Sequence, residues 1–289
     1  MNSLQEHQKG ILAVFVAALM WSTGGIFIKL VTFDAMQISF FRGVFAAIVF
    51  IIIFKKNVIY ANGFTFINAA FYSAILILFV IATKLTTAAN AIFLQYTAPI
   101  YVLIFEPLIN KTKYEKINVI TILVCFIGMT LFFMTRLSVG YRDGNIIALL
   151  SGVAYAAFLL GMRKNKKEYQ FSSIFYGNIL VALICLPSIF SIQNFTLNNF
   201  LMVSYLGIFQ IGIAYAIFSY GLKKVYAIEA SLISMIEPVL NPLWVFLGYG
   251  EVPSFMAIIG GIIIISAISV RTFIFESFSI KKKLNKNEL

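Results

Sequence analysis

Ser234, Glu237 and Asn241 fall at i, i+3 and i+7 in the run Ala230–Trp244, A-S-L-I-S-M-I-E-P-V-L-N-P-L-W, which is apolar enough to cross a membrane. On a continuous helix that spacing puts all three side chains on one face. A carboxylate at the centre of such a helix costs roughly 2.5 to 3.5 kcal/mol, so Glu237 requires a partner, a proton or a water-filled cavity. Pro238 and Pro242 remove backbone donors, and a kink at membrane depth is tolerated only where neighbouring helices or a cavity satisfy the freed carbonyls. The chemistry on offer is binding of a charged group or exchange of a proton on an inward-facing surface. The alternative is a protonated or hydrogen-bonded Glu237 that only shapes its helix.

A second charge, Arg42, lies about a third of the way into another apolar run. It either attracts an anionic group such as a carboxylate or snorkels outward to pair with Asp34. Gln95, Tyr96 and Gln210 are intramembrane polar groups, and Trp21, Tyr155 and Tyr215 are aromatics in mid-run beside small or flexible neighbours. All are candidates for the wall of one substrate cavity, and Tyr176 joins them as the residue aligned with Arg42 below. Glu106 and Glu229 lie near the ends of their runs, where snorkelling or pairing with Lys111, Lys223 or Lys224 is expected. The Gly24-Gly25 and Gly260-Gly261 pairs lack the Gly-Lys-Ser/Thr context of a phosphate loop and read as packing or flexing points.

The elements that position these residues are membrane spans. The chain of 289 residues is 61% hydrophobic and 11% charged, with a mean hydropathy of +0.94, outside the range of a soluble domain. At about 20 apolar residues per span, ten are expected: 10–31, 35–54, 64–84, 87–109, 117–135, 144–163, 171–190, 200–222, 226–247 and 253–274. The first reads as a retained helix and not a signal peptide. Cys125 and Cys185 fall in apolar segments and His7 is the sole histidine. No metal centre, covalent catalyst or cofactor site is therefore expected, and no enzymatic activity.

The net charge of +11 sits in short loops and points to positive-inside topology, not nucleic acid. Seventeen of the 22 cations fall on one set of connections: Lys9; Lys55 and Lys56; Lys111, Lys113 and Lys116; Arg163, Lys164, Lys166 and Lys167; Lys223 and Lys224; and Arg271 with Lys281, Lys282, Lys283 and Lys286. The opposite set has Lys29, Lys84, Arg136 and Arg142. Both termini are expected to be cytoplasmic.

The two halves also align. Trp21…Lys29 matches Tyr155…Arg163 at an offset of 134, with Phe41-Arg42-Gly43 matching Phe175-Tyr176-Gly177. Lys84, Ala91, Pro99 and Thr112 match Lys223, Ala230, Pro238 and Glu251 at an offset of 139. The expected fold is all-α, with two five-helix repeats at 1–136 and 137–289, the second ending in a short basic tail. An odd number of spans inverts the second repeat, an arrangement used by secondary transporters around a midplane site.

Trp-Ser-Thr-Gly-Gly at 21–25, Arg42, K-L-T-T-A-A-N-A at 84–91, Glu237-Pro238-Val239, Gly250-Glu251 and Gly260-Gly261 occur in order. Together they resemble the paired EamA repeats of the ten-helix drug/metabolite transporters, over nearly the whole chain. The first half departs where a Gly-Glu would end its fourth helix. It has Lys111-Thr112-Lys113 there and places Glu106 earlier. The resemblance implies a secondary transporter of a small organic metabolite, with relatives that export amino acids and other metabolites. Arg42, Glu237 and the Tyr, Asn and Gln groups would suit a zwitterion with an apolar side chain, exported across a bacterial inner membrane in contact with lipid, with H+ as a possible coupling ion.

An organic cation balanced by Glu237 alone is the rival substrate. From another class, a lipid-modifying membrane enzyme would need an interfacial His/Asp/Glu cluster that the sequence lacks, and a structural membrane protein leaves the paired repeats unexplained.

Overall fold

The computed structural model describes residues 3–86, 88–111, 115–134, 141–193, 195–249 and 254–287. Gly250-Glu251, Lys113, Arg136 and the expected repeat junction at 136/137 lie outside them. Among the described residues all regular structure is helical. The α-helices are α1 (Ser3–Trp21), α2 (Gly24–Leu30), α3 (Ala35–Phe54), α4 (Gly63–Leu85), α5 (Ala88–Gln95), α6 (Ala98–Asn110), α7 (Lys116–Phe133), α8 (Arg142–Lys164), α9 (Gln170–Cys185), α10 (Leu197–Tyr205), α11 (Ala214–Leu222), α12 (Ala227–Ser234), α13 (Ile236–Tyr249) and α14 (Phe255–Asn287).

Local chemistry sets where these helices begin. The Asp34 carboxylate accepts from the backbone N–H groups of Met36 and Gln37, both at 2.8 Å, while Gln37 Oε1 accepts from the Asp34 N–H at 3.1 Å. This reciprocal cap satisfies orphan donors at the head of α3, the helix that carries Arg42. Asn62 does the same for α4, accepting from the Thr65 N–H at 2.8 Å.

Among the described residues, seven helices are long and apolar enough to cross a membrane: Gln5–Leu30, Ala35–Val58, Gly63–Leu85, Asn90–Ile109, Arg142–Lys164, Lys167–Ser191 and Leu197–Leu222. Shorter apolar helices cover Lys116–Leu131 and Ile258–Arg271. The sequence predicts ten spans; the ninth, at 226–247, falls on α12 and α13, which meet at Met235. The interior is packed by α4 against α8 and α9, α3 against α9, and α1 against α11, while α7 and α14 pair with each other. Ile52, Leu123, Leu183 and Ile262 are exposed on the outside. An apolar exterior suits hydrocarbon as solvent, where backbone polar groups must be satisfied within the helices themselves.

Candidate functional site

Three helices are interrupted where polar side chains gather. α1 gives way to α2 at Ser22-Thr23, α5 to α6 at Tyr96-Thr97, and α12 to α13 at Met235. Hydroxyls take up carbonyls at two of the breaks: Ser22 Oγ donates to Leu19 O at 2.6 Å, Thr23 Oγ1 to Met20 O at 2.8 Å and Thr97 Oγ1 to Leu94 O at 2.7 Å. Pro99 and Pro238 stand in the first turns of α6 and α13, where a missing N–H costs nothing. They mark the starts of half-helices and do not kink continuous ones. A fourth irregularity is the π-helical stretch Leu206–Ile213 between α10 and α11, a form that recurs at functional sites.

The breaks converge on a small cavity of about 40 Å³ lined by Trp21, Arg42, Gln95, Tyr96, Tyr155, Gln210, Tyr215 and Glu237, with Ile75, Leu76, Phe79 and Ile211 as apolar wall. Tyr96 at one break donates its hydroxyl to Glu237 Oε2 at 2.6 Å across the other. Glu237 is in the first turn of α13, where the positive end of the helix dipole favours a carboxylate. From the π-helical stretch, Gln210 Oε1 accepts from Arg42 Nη2 at 3.0 Å, and Gln210 Nε2 donates to the Trp21 carbonyl at 3.3 Å. That carbonyl ends α1 and has no intrahelical donor. Gln95 Nε2 donates to Ser151 Oγ at 2.7 Å. The Trp21 and Tyr215 rings lie 4.6 Å apart, and Tyr215 meets Tyr72 edge-on at 4.8 Å.

The polar inventory is lopsided. Arg42 is 2% exposed, yet its Nε and Nη1 have no hydrogen-bond partner, and neither has Trp21 Nε1. A buried unpaired donor carries a desolvation cost of about 1–3 kcal/mol, more when charged. Arg42 and Glu237 line the same cavity but form no ion pair with each other. The cavity thus holds a cation with unused donors and a carboxylate that accepts from one tyrosine.

Three sequence candidates fall elsewhere. Ser234 is wholly buried and returns its hydroxyl to Ala230 O at 2.9 Å. Asn241 lies against Gly25, where a Cβ would stand 2.7 Å from Asn241 Nδ2. The break at Met235 separates Ser234 from the helix of Glu237 and Asn241, so the one-face register of an unbroken helix does not run through it. Tyr176 donates to Ile59 O at 2.8 Å at the end of the bundle. Asp34 serves as the cap of α3 and leaves Arg42 to Gln210.

The end-of-span carboxylates also differ from expectation. Glu106 accepts from the N–H groups of Ala227 at 2.8 Å and Ile228 at 2.9 Å, capping α12. Glu229 binds Arg271 Nη1 at 2.6 Å and His7 Nε2 at 2.8 Å, and Arg271 Nε donates to Asn118 Oδ1 at 3.0 Å. Sequence reasoning missed this cluster, Ser151, and Trp244, whose Nε1 donates to Ser22 Oγ at 2.7 Å. A cation inside the expected span 253–274 was the available signal for Arg271.

Gly24 has a specific task, because a Cβ there would stand 2.4 Å from Gln210 Nε2. Gly24→Ala is expected to push the amide aside and release Arg42. A gain of about 1 kcal/mol in helix propensity offsets part of the loss of a hydrogen bond to a charge, roughly 1.5–3 kcal/mol. Thermal unfolding should show a net loss near 1 kcal/mol in Gly24→Ala and a gain of up to about 1 kcal/mol when the same change is made in a Gln210→Ala background. Equal losses in both backgrounds would contradict the contact.

The model of the EamA-like transporter family matches residues 8–134 and again 142–273. An uncharacterized transporter of Archaeoglobus fulgidus is 25% identical, over 90% of this chain and 95% of that protein. The uncharacterized transporter YdfC of Bacillus subtilis is 23% identical over 70% and 67%. Solute carrier family 35 member G1 of Mus musculus is 28% identical over 59% of this chain and 52% of its own. A solved crystal structure superposes with a TM-score of 0.78 at 20% identity, over 93% of this chain and 98% of the other.

Proposed function

The chain belongs to the EamA-like transporter family, and from that membership we propose that it is a secondary transporter of a small zwitterion with an apolar body, an amino acid or close relative. The observation that carries the substrate reading is the pairing, in one cavity, of the unpartnered Nε and Nη1 of Arg42 with the Glu237 carboxylate. Arg42 and Trp21 Nε1 would receive the substrate carboxylate, Glu237 its ammonium, and Trp21, Tyr155 and Tyr215 its side chain. Gln95 and Tyr96 would hold the helix breaks in place, with Ser234 and Asn241 supporting them from outside the cavity.

The reading includes ten spans in two inverted five-helix repeats, 1–136 and 137–289, with both termini cytoplasmic in a bacterial inner membrane. The helix breaks support it, since Tyr96 and Met235, the residues that follow α5 and α12, stand 139 positions apart, the offset at which the sequence halves align. A volume near 40 Å³ admits a few waters and not an amino acid. In this contracted state the repeats must rock apart for substrate to enter, which is alternating access. Export is the direction we assign, from the family resemblance, and Glu237 is the group that would exchange H+.

The test is ligand-induced thermal stabilisation with three probes: leucine, leucinamide, which keeps only the cation, and N-acetylleucine, which keeps only the anion. Wild type should respond most to leucine, by about 2.7 kcal/mol at a hundredfold excess over Kd. Arg42→Met should lose the preference for leucine over leucinamide. If leucinamide stabilises wild type as well as leucine does, the organic-cation reading replaces this one.

A further inference from the structure

Asn68 is wholly buried in α4, yet neither its Oδ1 nor its Nδ2 has a hydrogen-bond partner. A buried amide left empty on both sides is uncommon, because each orphan group loses its hydration for nothing. Asn68 lines a groove of about 380 Å³, far larger than the polar cavity and separate from it. The groove runs between α4 and α6, which both pack on α8 but scarcely touch each other. Its walls are Phe64, Phe71, Tyr101, Phe105 and Val153. Phe71, Phe105 and Val153 are also exposed on the outer, apolar surface, so the groove opens toward hydrocarbon.

Two features distinguish it from ordinary lipid-facing surface. The exposed Lys164 lines one end, with its Nζ 5.8 Å from the centre of the Phe64 ring, and among the described residues no acidic side chain lines the groove. Gly161 leaves the space that the Asn68 amide occupies, since a Cβ there would fall 1.9 Å from Asn68 Oδ1. An apolar trough, a cation at its rim and an empty amide inside it match one chemistry.

We propose that this groove holds one anionic phospholipid. An acyl chain lies along the aromatic walls, the phosphate sits at Lys164, and Asn68 Nδ2 donates to an ester carbonyl while its Oδ1 accepts from a headgroup hydroxyl. In the orientation proposed above, Lys164 faces the cytoplasmic leaflet, whose anionic lipids attract basic groups near the surface. The site is independent of the substrate reading and would stand if the transported molecule proved to be a cation.

Native mass spectrometry and thermal unfolding of the detergent-purified full chain test it, with dioleoyl phosphatidylglycerol, dioleoyl phosphatidylcholine and glycerol 3-phosphate as probes. Phosphatidylglycerol should be retained at one per chain and raise the unfolding temperature. Phosphatidylcholine should be held more weakly, and glycerol 3-phosphate, a headgroup without chains, should do nothing. Lys164→Gln, at an exposed position, should weaken phosphatidylglycerol retention about fivefold. Ala157 of α8 also lines the groove, and Ala157→Trp, which fills it, should abolish retention with Lys164 still present. Equal retention of the two lipids, a shift with glycerol 3-phosphate, or unchanged phosphatidylglycerol retention in either variant overturns the proposal and leaves only non-specific annular lipid.

Discussion

Glu237→Gln is expected to slow transport of the zwitterion proposed above ten- to a hundredfold while leaving the fold intact. Gln matches Glu in size, and its Oε1 can still accept from the Tyr96 hydroxyl, which reaches Glu237 at 2.6 Å. What disappears is the charge. A hydrogen bond to an ionised group contributes about 1.5–3 kcal/mol, which sets the stated loss in affinity for an ammonium. Thermal unfolding should move little, because the variant removes a buried charge without opening a cavity. Proteoliposomes separate the two roles assigned to this carboxylate. If it binds substrate, Glu237→Gln loses exchange of labelled for unlabelled substrate as well as uphill movement. If exchange runs at the wild-type rate and only uphill movement is lost, Glu237 couples the proton and the ammonium lies elsewhere.

The second large effect concerns stability. Glu229 and Arg271 are 1% and 2% exposed and meet at 2.6 Å, with His7 on the other carboxylate oxygen and Asn118 on Arg271 Nε. The cluster ties α12 to α1, α7 and α14. Glu229→Leu removes the carboxylate that Arg271 Nη1 meets, and removing one partner of a buried pair costs about 3–5 kcal/mol. Glu229→Leu with Arg271→Met removes both charges and should regain most of that loss, since an apolar replacement of a whole buried pair is often neutral. Reversible unfolding in detergent checks this. Equal destabilisation in the single and double variants would mean that the pair contributes by shape and not by charge.

The polar cavity was legible because charged and amide side chains in apolar runs are conspicuous. That cost points to Arg42, Gln210 and Glu237, the alignment of the halves points to Gln95 opposite Ser234 with Tyr96 beside it, and position in mid-run points to Trp21, Tyr155 and Tyr215. Register was not legible. One face through Ser234, Glu237 and Asn241 assumes an unbroken helix; the interruption at Met235 resets the angular count for Ser234 alone, while Asn241 keeps its i+4 register with Glu237 on α13 and lies against Gly25. Pro238 signalled an irregularity but not its kind, because a proline in a first turn and a proline in a helix interior read alike in sequence. Tyr176 was inferred by alignment with Arg42, and its hydroxyl found a backbone carbonyl instead. The groove beside Asn68 was invisible, since it depends on α4 and α6 standing apart on α8.

The most direct test of the central reading, that Arg42 and Glu237 hold the two ends of one substrate, is leucine counterflow into proteoliposomes containing the wild-type protein, with leucinamide and N-acetylleucine as competitors. Labelled leucine should accumulate transiently, unlabelled leucine should suppress it, and each single-charge analogue should need at least about tenfold more, the equivalent of one lost contact near 1.4 kcal/mol. Suppression by leucinamide at the same concentration as leucine, with Arg42→Met behaving as wild type, would contradict the two-ended site.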